Sequence, residues 1–398
     1  MSTLERSIVQ ALREDIDFID PKFKLLIDKD LEDIVDEINA SGLGINEKRL
    51  AEHLAEAKQA EADATAKFKK SVEDRGYSFN YNSRKDMVNW FFNILKIPPF
   101  KMGKTGPSLD AESLEAIAHI DESAQFYLDA KSAHSLVNIL QNITNALRDG
   151  RIYPHHNLNK AASGRFSSSG ANGDKINING WPKSIRDIFK ADDDRITVSF
   201  DYKNMEGAVQ YFFANEEGSI DDYLSGTDMH QKLADILGVD RKVAKTIRHG
   251  IGYGMTAFGL ARRIGCTEEE AQEFIDKFWK TQPKVLTMKQ DIIRTAHQLG
   301  FVSTISGFSR DARGLTDDQI YSTFIQGSAA DIFKQALSSV AKYFKIHNNG
   351  RIVTPMHDAL VCEINEEGID QTIEDVKTIM QNIHPEMKLQ VEVEIGKW

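Results

Sequence analysis

Arg241, Lys245, His249 and Tyr253 stand four residues apart in a stretch that runs on to Gly254. Each four-residue step along an α-helix advances by about 400°, so successive side chains drift by only about 40°. On a helix, all of them would project from nearly one face. From Arg241 to Arg263 there are six Lys or Arg and no Asp or Glu. A cationic face that ends in an imidazole and a phenol suits a polyphosphate carrying a sugar and a base. The same spacing also fits a solvated basic helix, and spacing alone does not separate the two.

A second kind of chemistry is offered by Asp201 and Asp358. Asp201 closes the β-branched run Arg195-Ile-Thr-Val-Ser-Phe200, and Asp358 interrupts two apolar runs within residues 351–364. A strand-end aspartate alone often does no more than start a turn. Brought together from separate elements, two such carboxylates can hold a pair of divalent ions about 3.5–4 Å apart, as phosphoryl transfer requires. One ion lowers the pKa of an attacking hydroxyl and the other screens a leaving pyrophosphate. Hard oxygen donors select Mg²⁺, with Mn²⁺ as a substitute.

The elements that must position these residues are partly legible. Residues 195–201 predict a strand, residues 351–364 a hairpin with His357-Asp358 at its tip, and Val391–Ile395 a last strand. Residues 1–75 read mostly as helix, including Leu31–Ile38 and a long Ala/Glu/Lys-rich helix over 46–74. Helical patterns return at 111–119, 124–147 and across 205–300, whereas 96–107 and 151–180 read as loops. There are no internal repeats.

The chain has 398 residues, is 41% hydrophobic and 27% charged, and carries a net charge of −11. This length predicts two or three domains or subdomains. Its acidity does not argue against nucleic acid, because the charge is uneven. Residues 1–40 hold eleven acidic and five basic side chains, whereas residues 151–190 hold two and seven. Cys266 and Cys362 have no metal-ligand spacing. With no signal peptide and no apolar stretch long enough to span a bilayer, the expectation is a soluble, reduced, cytoplasmic protein.

Three tempting matches fail on context. Gly103-Lys104-Thr105 lacks the earlier glycine of a phosphate-binding P-loop, since position 98 is Pro. Asp30-Leu-Glu32 resembles a nuclease carboxylate pair but lies within an amphipathic helical pattern. Gly250, Gly252 and Gly254 follow no strand and fit helix termination better than a dinucleotide fingerprint.

Taken together, several gapped motifs resemble family A DNA polymerases, the bacterial polymerase I type. Phe200-Asp201-Tyr202-Lys-Asn-Met-Glu206 is similar to their motif A. The segment from Arg241 to Tyr253-Gly254 resembles motif B, and Met356-His357-Asp358 resembles motif C. Ile325-Gln326-Gly-Ser-Ala-Ala-Asp331 and Gly164-Arg165-Phe-Ser-Ser168 match further family segments. Gly103-Lys104-Thr-Gly-Pro-Ser-Leu109 resembles a thumb segment that grips duplex phosphates. The likeness runs from about residue 30 to the C-terminus and covers the polymerase module alone, so the expectation is a chain without the family's upstream exonuclease domain.

The resemblance implies an α/β (α+β) right-hand fold with an antiparallel palm sheet, a helical thumb and helical fingers. The expected division is an N-terminal helical segment packing on the palm (1–44), thumb (45–125), palm (126–205), fingers (206–314) and palm again (315–398). The implied activity is template-directed extension of a primer by dNTPs, through two Mg²⁺ ions and without proofreading, with a phage or other mobile element as the expected setting. A single-subunit RNA polymerase is the alternative enzyme. A nucleic-acid-binding protein of polymerase fold with little catalysis is the alternative outside enzymes. Primer–template DNA and dNTPs are the expected partners, with unidentified accessory replication proteins, no membrane and a monomeric state.

By the same resemblance, Asp201, Asp358 and the Tyr202 carbonyl hold the metals. Arg241, Lys245 and His230 contact the triphosphate, and Lys245 protonates the leaving pyrophosphate. Glu206 excludes a ribose 2′-hydroxyl, and Tyr253 closes the template side of the pocket. Arg165, Gln326 and His357 hold the minor groove and primer end, and Lys104 grips the duplex. His249 departs from the Phe or Tyr usual against the deoxyribose, which puts sugar selection in question. Ala359 stands where the family usually has Glu, and this predicts weakened metal handling. Pro355 is unusual inside a hairpin strand because it lacks a ladder donor.

Overall fold

Two long helices form the backbone of the N-terminal half. The computed structural model describes residues 21–103, 105–158, 160–170, 174–252 and 254–396. After α1 (Leu31–Ser41) comes α2 (Glu47–Glu73), whose N-cap Asn46 side chain accepts from the Arg49 amide. The one-turn α3 (Arg84–Val88) and α4 (Ala111–Ala118) lead into α5 (Ser123–Ala146), which packs along α2. The two ends of this α2–α5 pair serve different cores. At one end Phe68 and Val72 close around Met87, Trp90, Phe91 and Leu114. At the other, Leu50, Leu140 and Ile143 pack with Ile152, Ile188 and Val353 near the central sheet. The pair is therefore a stalk that carries one helical lobe away from the sheet. Residues 1–20 of the expected N-terminal segment, together with Lys104, Tyr253 and residues 159, 171–173 and 397–398, lie outside the described residues.

The stretch expected to be loop contains a short antiparallel pair, β1 (Pro154–Asn157) with β2 (Ser167–Gly170). It precedes β3 (Arg195–Tyr202), the strand anticipated from its β-branched run. From there the chain is helical, but in pieces. Helices α6 (Met205–Ala214) and α7 (Glu217–Ser225) lie first, and α6 buries Met205, Ala208, Val209 and Tyr211 in the core of the sheet. Then α8 (Met229–Leu237), α9 (Arg241–Gly252), α10 (Ala257–Ile264) and α11 (Glu268–Lys280) enclose a core of their own around Leu233, Ile247, Leu260 and Phe278. Helix α12 (Pro283–Leu299) starts with Pro at its first turn, where a missing amide costs nothing, and leads back to the sheet.

A hairpin that sequence patterning did not reveal, β4 (Phe301–Ser303) with β5 (Ser309–Asp311), precedes the longest helix, α13 (Asp317–His347). That helix opens with a reciprocal capping box between Thr316 and Gln319 and buries residues on most of its faces beneath the sheet. The hairpin β6 (Gly350–Met356) and β7 (Ala359–Asn365), then α14 (Ile369–Gln381) and β8 (Val391–Ile395), complete the fold. The sheet is antiparallel in the order β6-β7-β3-β8. Pro355 is accommodated because β6 is an edge strand with a register shift between Ile352 and Thr354. The α+β architecture with an antiparallel sheet and two helical lobes matches the sequence expectation.

The two lobes meet across the space above the sheet. Arg262 on α10 donates to the Pro99 carbonyl at 3.2 Å and lies 4.8 Å over the Phe100 ring. Arg263 pairs with Glu112 of α4 at 3.0 Å.

Just beyond α9, Gly254 has φ +80°, and a Cβ there would lie 1.9 Å from the Asp318 carboxylate. Lys289 holds that carboxylate at 2.9 Å, so the first turn of α13 cannot simply retreat. A left-handed conformation costs a residue with a Cβ about 1–2 kcal/mol before any clash. Gly254→Ala is accordingly expected to destabilise the fold by about 2 kcal/mol or more, read as a lower urea midpoint. An unchanged midpoint would show that this junction yields freely.

Candidate active site

Sheet register brings the two aspartates together. Asp201 pairs with Ala359 across β3 and β7, which sets Asp358 one residue away on the neighbouring strand. The Asp358 carbonyl accepts from the Tyr202 amide at 3.1 Å. His357 has φ +54°, the left-handed residue that lets the β6–β7 turn reverse, and its amide faces Asn179 Oδ1 at 3.4 Å. The Tyr202 side chain points into the core, where its hydroxyl donates to the Met380 carbonyl at 2.8 Å. Strand ends, rather than side-chain contacts, thus hold the aspartate pair.

The local field favours a cation between these carboxylates. Asp358 has its pKa raised, first by loss of solvation and then by Glu206 and Asp201, against the lowering influence of Arg165. Asp201 is open to solvent yet also raised, first by loss of solvation and next by Glu392. Glu392 is its cross-strand partner on β8 and pairs with Lys203 at 2.7 Å. On the opposite flank the cross-strand place belongs to the buried methyl of Ala359. Among the described residues, no three His, Cys, Asp or Glu are grouped to hold a metal. Asp201 and Asp358 stand at neighbouring positions of the sheet, and the Asp201 charge raises the Asp358 pKa; as hard oxygen donors they could hold Mg²⁺, with other oxygens completing its shell.

Glu206 lies in the first turn of α6, directly after the turn at Asn204. Its carboxylate pairs with Arg165, and Arg165 Nη2 also lies 4.0 Å from Asp358 Oδ1. The segment around Gly164 is thereby fastened to both carboxylates. Close packing against the ring of Phe308 also constrains Gly164, whose φ is +73°.

The stretch around Lys245 is helical, as its spacing predicted, and α9 carries Arg241, Lys245 and His249. Its opposite face buries Ala244, Ile247 and Ile251. A cavity of about 680 Å³ opens beside it, lined by Glu206, His230, Lys245, Arg248, His249, Gln326 and Asp358. Arg241 is turned instead to Asp228, at 2.7 Å. Asp228 caps α8 by accepting from the His230 and Gln231 amides, and together with Arg241 these bonds hold its pKa down at about 2. The His230 and His249 rings are 5.5 Å apart, and both imidazoles are pushed towards the neutral form, foremost by burial.

Sequence reasoning missed Arg248 and Glu392. Arg248 donates to the Tyr211 hydroxyl and lies 5.8 Å from that ring's centroid. Burial lowers its pKa to about 10. The spacing that singled out Arg241, Lys245 and His249 skips it, since it lies one position off their face. Alternation in Val391-Glu-Val-Glu-Ile395 signalled that Glu392 and Glu394 share a face of the strand, but only register places Glu392 beside Asp201.

Comparison with known proteins shows the family and the fold. Residues 47–398 match the family described as DNA polymerase family A. DNA polymerase I of Caldicellulosiruptor bescii is 31% identical over 375 residues, covering 85% of this chain and 44% of that protein. The thermostable DNA polymerase I of Thermus aquaticus is 29% identical over 350 residues, covering 81% and 42%. The chain thus spans less than half the length of these relatives. Among solved structures, the POL domain of Pol1 from M. smegmatis, in complex with DNA primer-template and dNTP, superposes with a TM-score of 0.85 at 25% identity. That match covers 93% of this chain and 70% of the other.

Proposed function

The chain belongs to DNA polymerase family A, and on that premise we propose that it extends a primer 3′-hydroxyl with dNTPs under the direction of a DNA template. The observation that carries this reading is the placement of Asp358, Lys245 and His230 around one cavity, with Asp201 on the strand next to Asp358. We take the sheet as the palm, the lobe around Trp90 as the thumb, and the lobe around Ile247 as the fingers.

Asp201 and Asp358 would hold two Mg²⁺ ions, with the Tyr202 carbonyl as a further ligand. Bound ions would lower the pKa of the primer hydroxyl and neutralise charge on the leaving pyrophosphate. Lys245 and His230 face the cavity from two helices and bind the triphosphate, joined by Arg241 once it turns from Asp228. Lys245 then delivers a proton to the departing pyrophosphate. Arg248, tied to Tyr211, fixes α9 against α6, so that Lys245 keeps its place relative to Glu206. Glu206 lies where it can block a ribose 2′-hydroxyl, and His249 stands beside the sugar. Arg165, Gln326 and His357 border the primer end and minor groove. We assign the duplex grip to Lys104 and the template side of the pocket to Tyr253 by the family resemblance.

Incorporation of dNTP and rNTP on a DNA primer–template with Mg²⁺ tests the proposal. Wild type is expected to prefer dNTP strongly, and Glu206→Ala to narrow that preference by about tenfold or more, since removing a steric block costs the excluded substrate least. An rNTP preference would identify an RNA polymerase instead. Tight DNA binding with no incorporation of either nucleotide would identify a binding protein of polymerase fold. Among the described residues, no helix is long and apolar enough to cross a membrane.

A further inference from the structure

His249 and His230 form a pair that a Phe or Tyr at position 249 could not form. Their rings lie 5.5 Å apart, tilted by 43°, and both line the same cavity. His230 Nδ1 is buried and has no hydrogen-bond partner. Nothing behind the ring therefore fixes which nitrogen carries its proton.

We propose that His230 and His249 act as one proton-accepting unit, which takes up a proton from solvent when a nucleoside triphosphate enters the cavity. The inference rests on the nucleotide-site reading above. Its physical basis is the change in charge around the two rings. Within the cavity they face Lys245, Arg248 and Arg241 of α9 and Arg263 of α10. The opposing charges are Glu206 of α6, already paired with Arg165, Asp228, already paired with Arg241, and Glu112 of α4, already paired with Arg263. Asp358 lines the cavity from the β6–β7 turn, and α13 adds the neutral Gln326 and Tyr321. Burial and this excess of cations push both rings towards the neutral form.

A triphosphate brings several negative charges into that space and reverses the balance, so the bound-state pKa rises above that of the free pair. Only one proton is taken up, because two imidazolium rings this close repel each other. No covalent bond to the nucleotide forms; the proton moves from water or buffer to a ring nitrogen. The sign follows from linkage. Between the free-state and bound-state pKa values, affinity falls by roughly tenfold for each unit rise in pH, and it is flat outside that window.

The test is calorimetric titration of the next correct dNTP, with Mg²⁺, into protein bound to a dideoxy-terminated primer–template. Run at pH 7.5 in buffers of different ionisation enthalpy, it reports net proton uptake. Wild type is expected to show net proton uptake and H249F less than half as much, and Kd should rise with pH more steeply in wild type. The comparison also subtracts any proton taken up by the γ-phosphate. Equal uptake in the two proteins, or none in wild type, overturns the inference while leaving the polymerase reading intact. Absence of any dNTP binding overturns both. Should H249F fail to fold, ¹⁵N shifts of the histidine rings in wild type decide. Movement of either ring towards imidazolium on nucleotide binding supports the proposal, and unchanged shifts for both overturn it.

Discussion

Replacing Asp358 or Asp201 with Ala is expected to lower single-nucleotide incorporation by at least about a thousandfold, some 4 kcal/mol of transition-state stabilisation. The expected effect is large because Glu206, the carboxylate that acts on Asp358, is already paired with Arg165. Ala359 supplies only a methyl beside Asp201, and Glu392 is engaged by Lys203. The fold should survive both changes. Asp358 joins the sheet through its carbonyl, which the substitution leaves in place, and the Arg165–Glu206 pair forms without either aspartate. Primer–template affinity should therefore change little, or rise slightly, as the two carboxylates repel phosphate. Rapid-quench incorporation at saturating DNA, with a parallel DNA-binding titration, separates loss of chemistry from loss of binding. A large loss of DNA binding with little change in the incorporation step would mean that these residues shape the DNA site instead.

The second large effect is expected at Lys245. Lys245→Ala should slow incorporation by about 10²–10⁴-fold and weaken dNTP binding as well, since the side chain serves as both a triphosphate contact and a proton donor. Lys245→Arg separates the two roles. A guanidinium restores charge and hydrogen bonds but is too weak an acid to release a proton near neutral pH. Recovery of dNTP affinity without recovery of rate is the expected pattern for K245R. Full recovery of the rate would show that Lys245 acts through charge alone.

Much of the site was legible because its decisive spacings are local. Four-residue steps from Arg241 to His249 need only a helix to face one way, and α9 provides it. Two apolar runs on either side of His357-Asp358 need only a tight reversal, and the β6–β7 hairpin with His357 at positive φ provides that. What escaped the sequence depends on register and packing. Nothing in Val391–Ile395 names the strand it will pair with, so Glu392 could not be placed beside Asp201. Arg248 lies off the four-residue spacing, and its burial against Tyr211 follows from how α6 meets α9. The β4–β5 hairpin was hidden because its strands are three residues each, too short for a period-two pattern to stand out.

Structure also changes the meaning of the departures from the family pattern. Ala359 is buried between Met356 and Asp201 in the ladder, so the missing carboxylate leaves a packed methyl rather than a gap. His249 gains a neighbour, His230, that an aromatic ring without titratable nitrogens could not use in the same way.

The most direct test of the central claim is primer extension with each of the four dNTPs offered singly, opposite each template base, by wild type and by D358A. Wild type is expected to add the complementary nucleotide in the presence of Mg²⁺, and D358A to add none on the same timescale. Addition without regard to the template base, or complementary addition that survives in D358A, would contradict that claim.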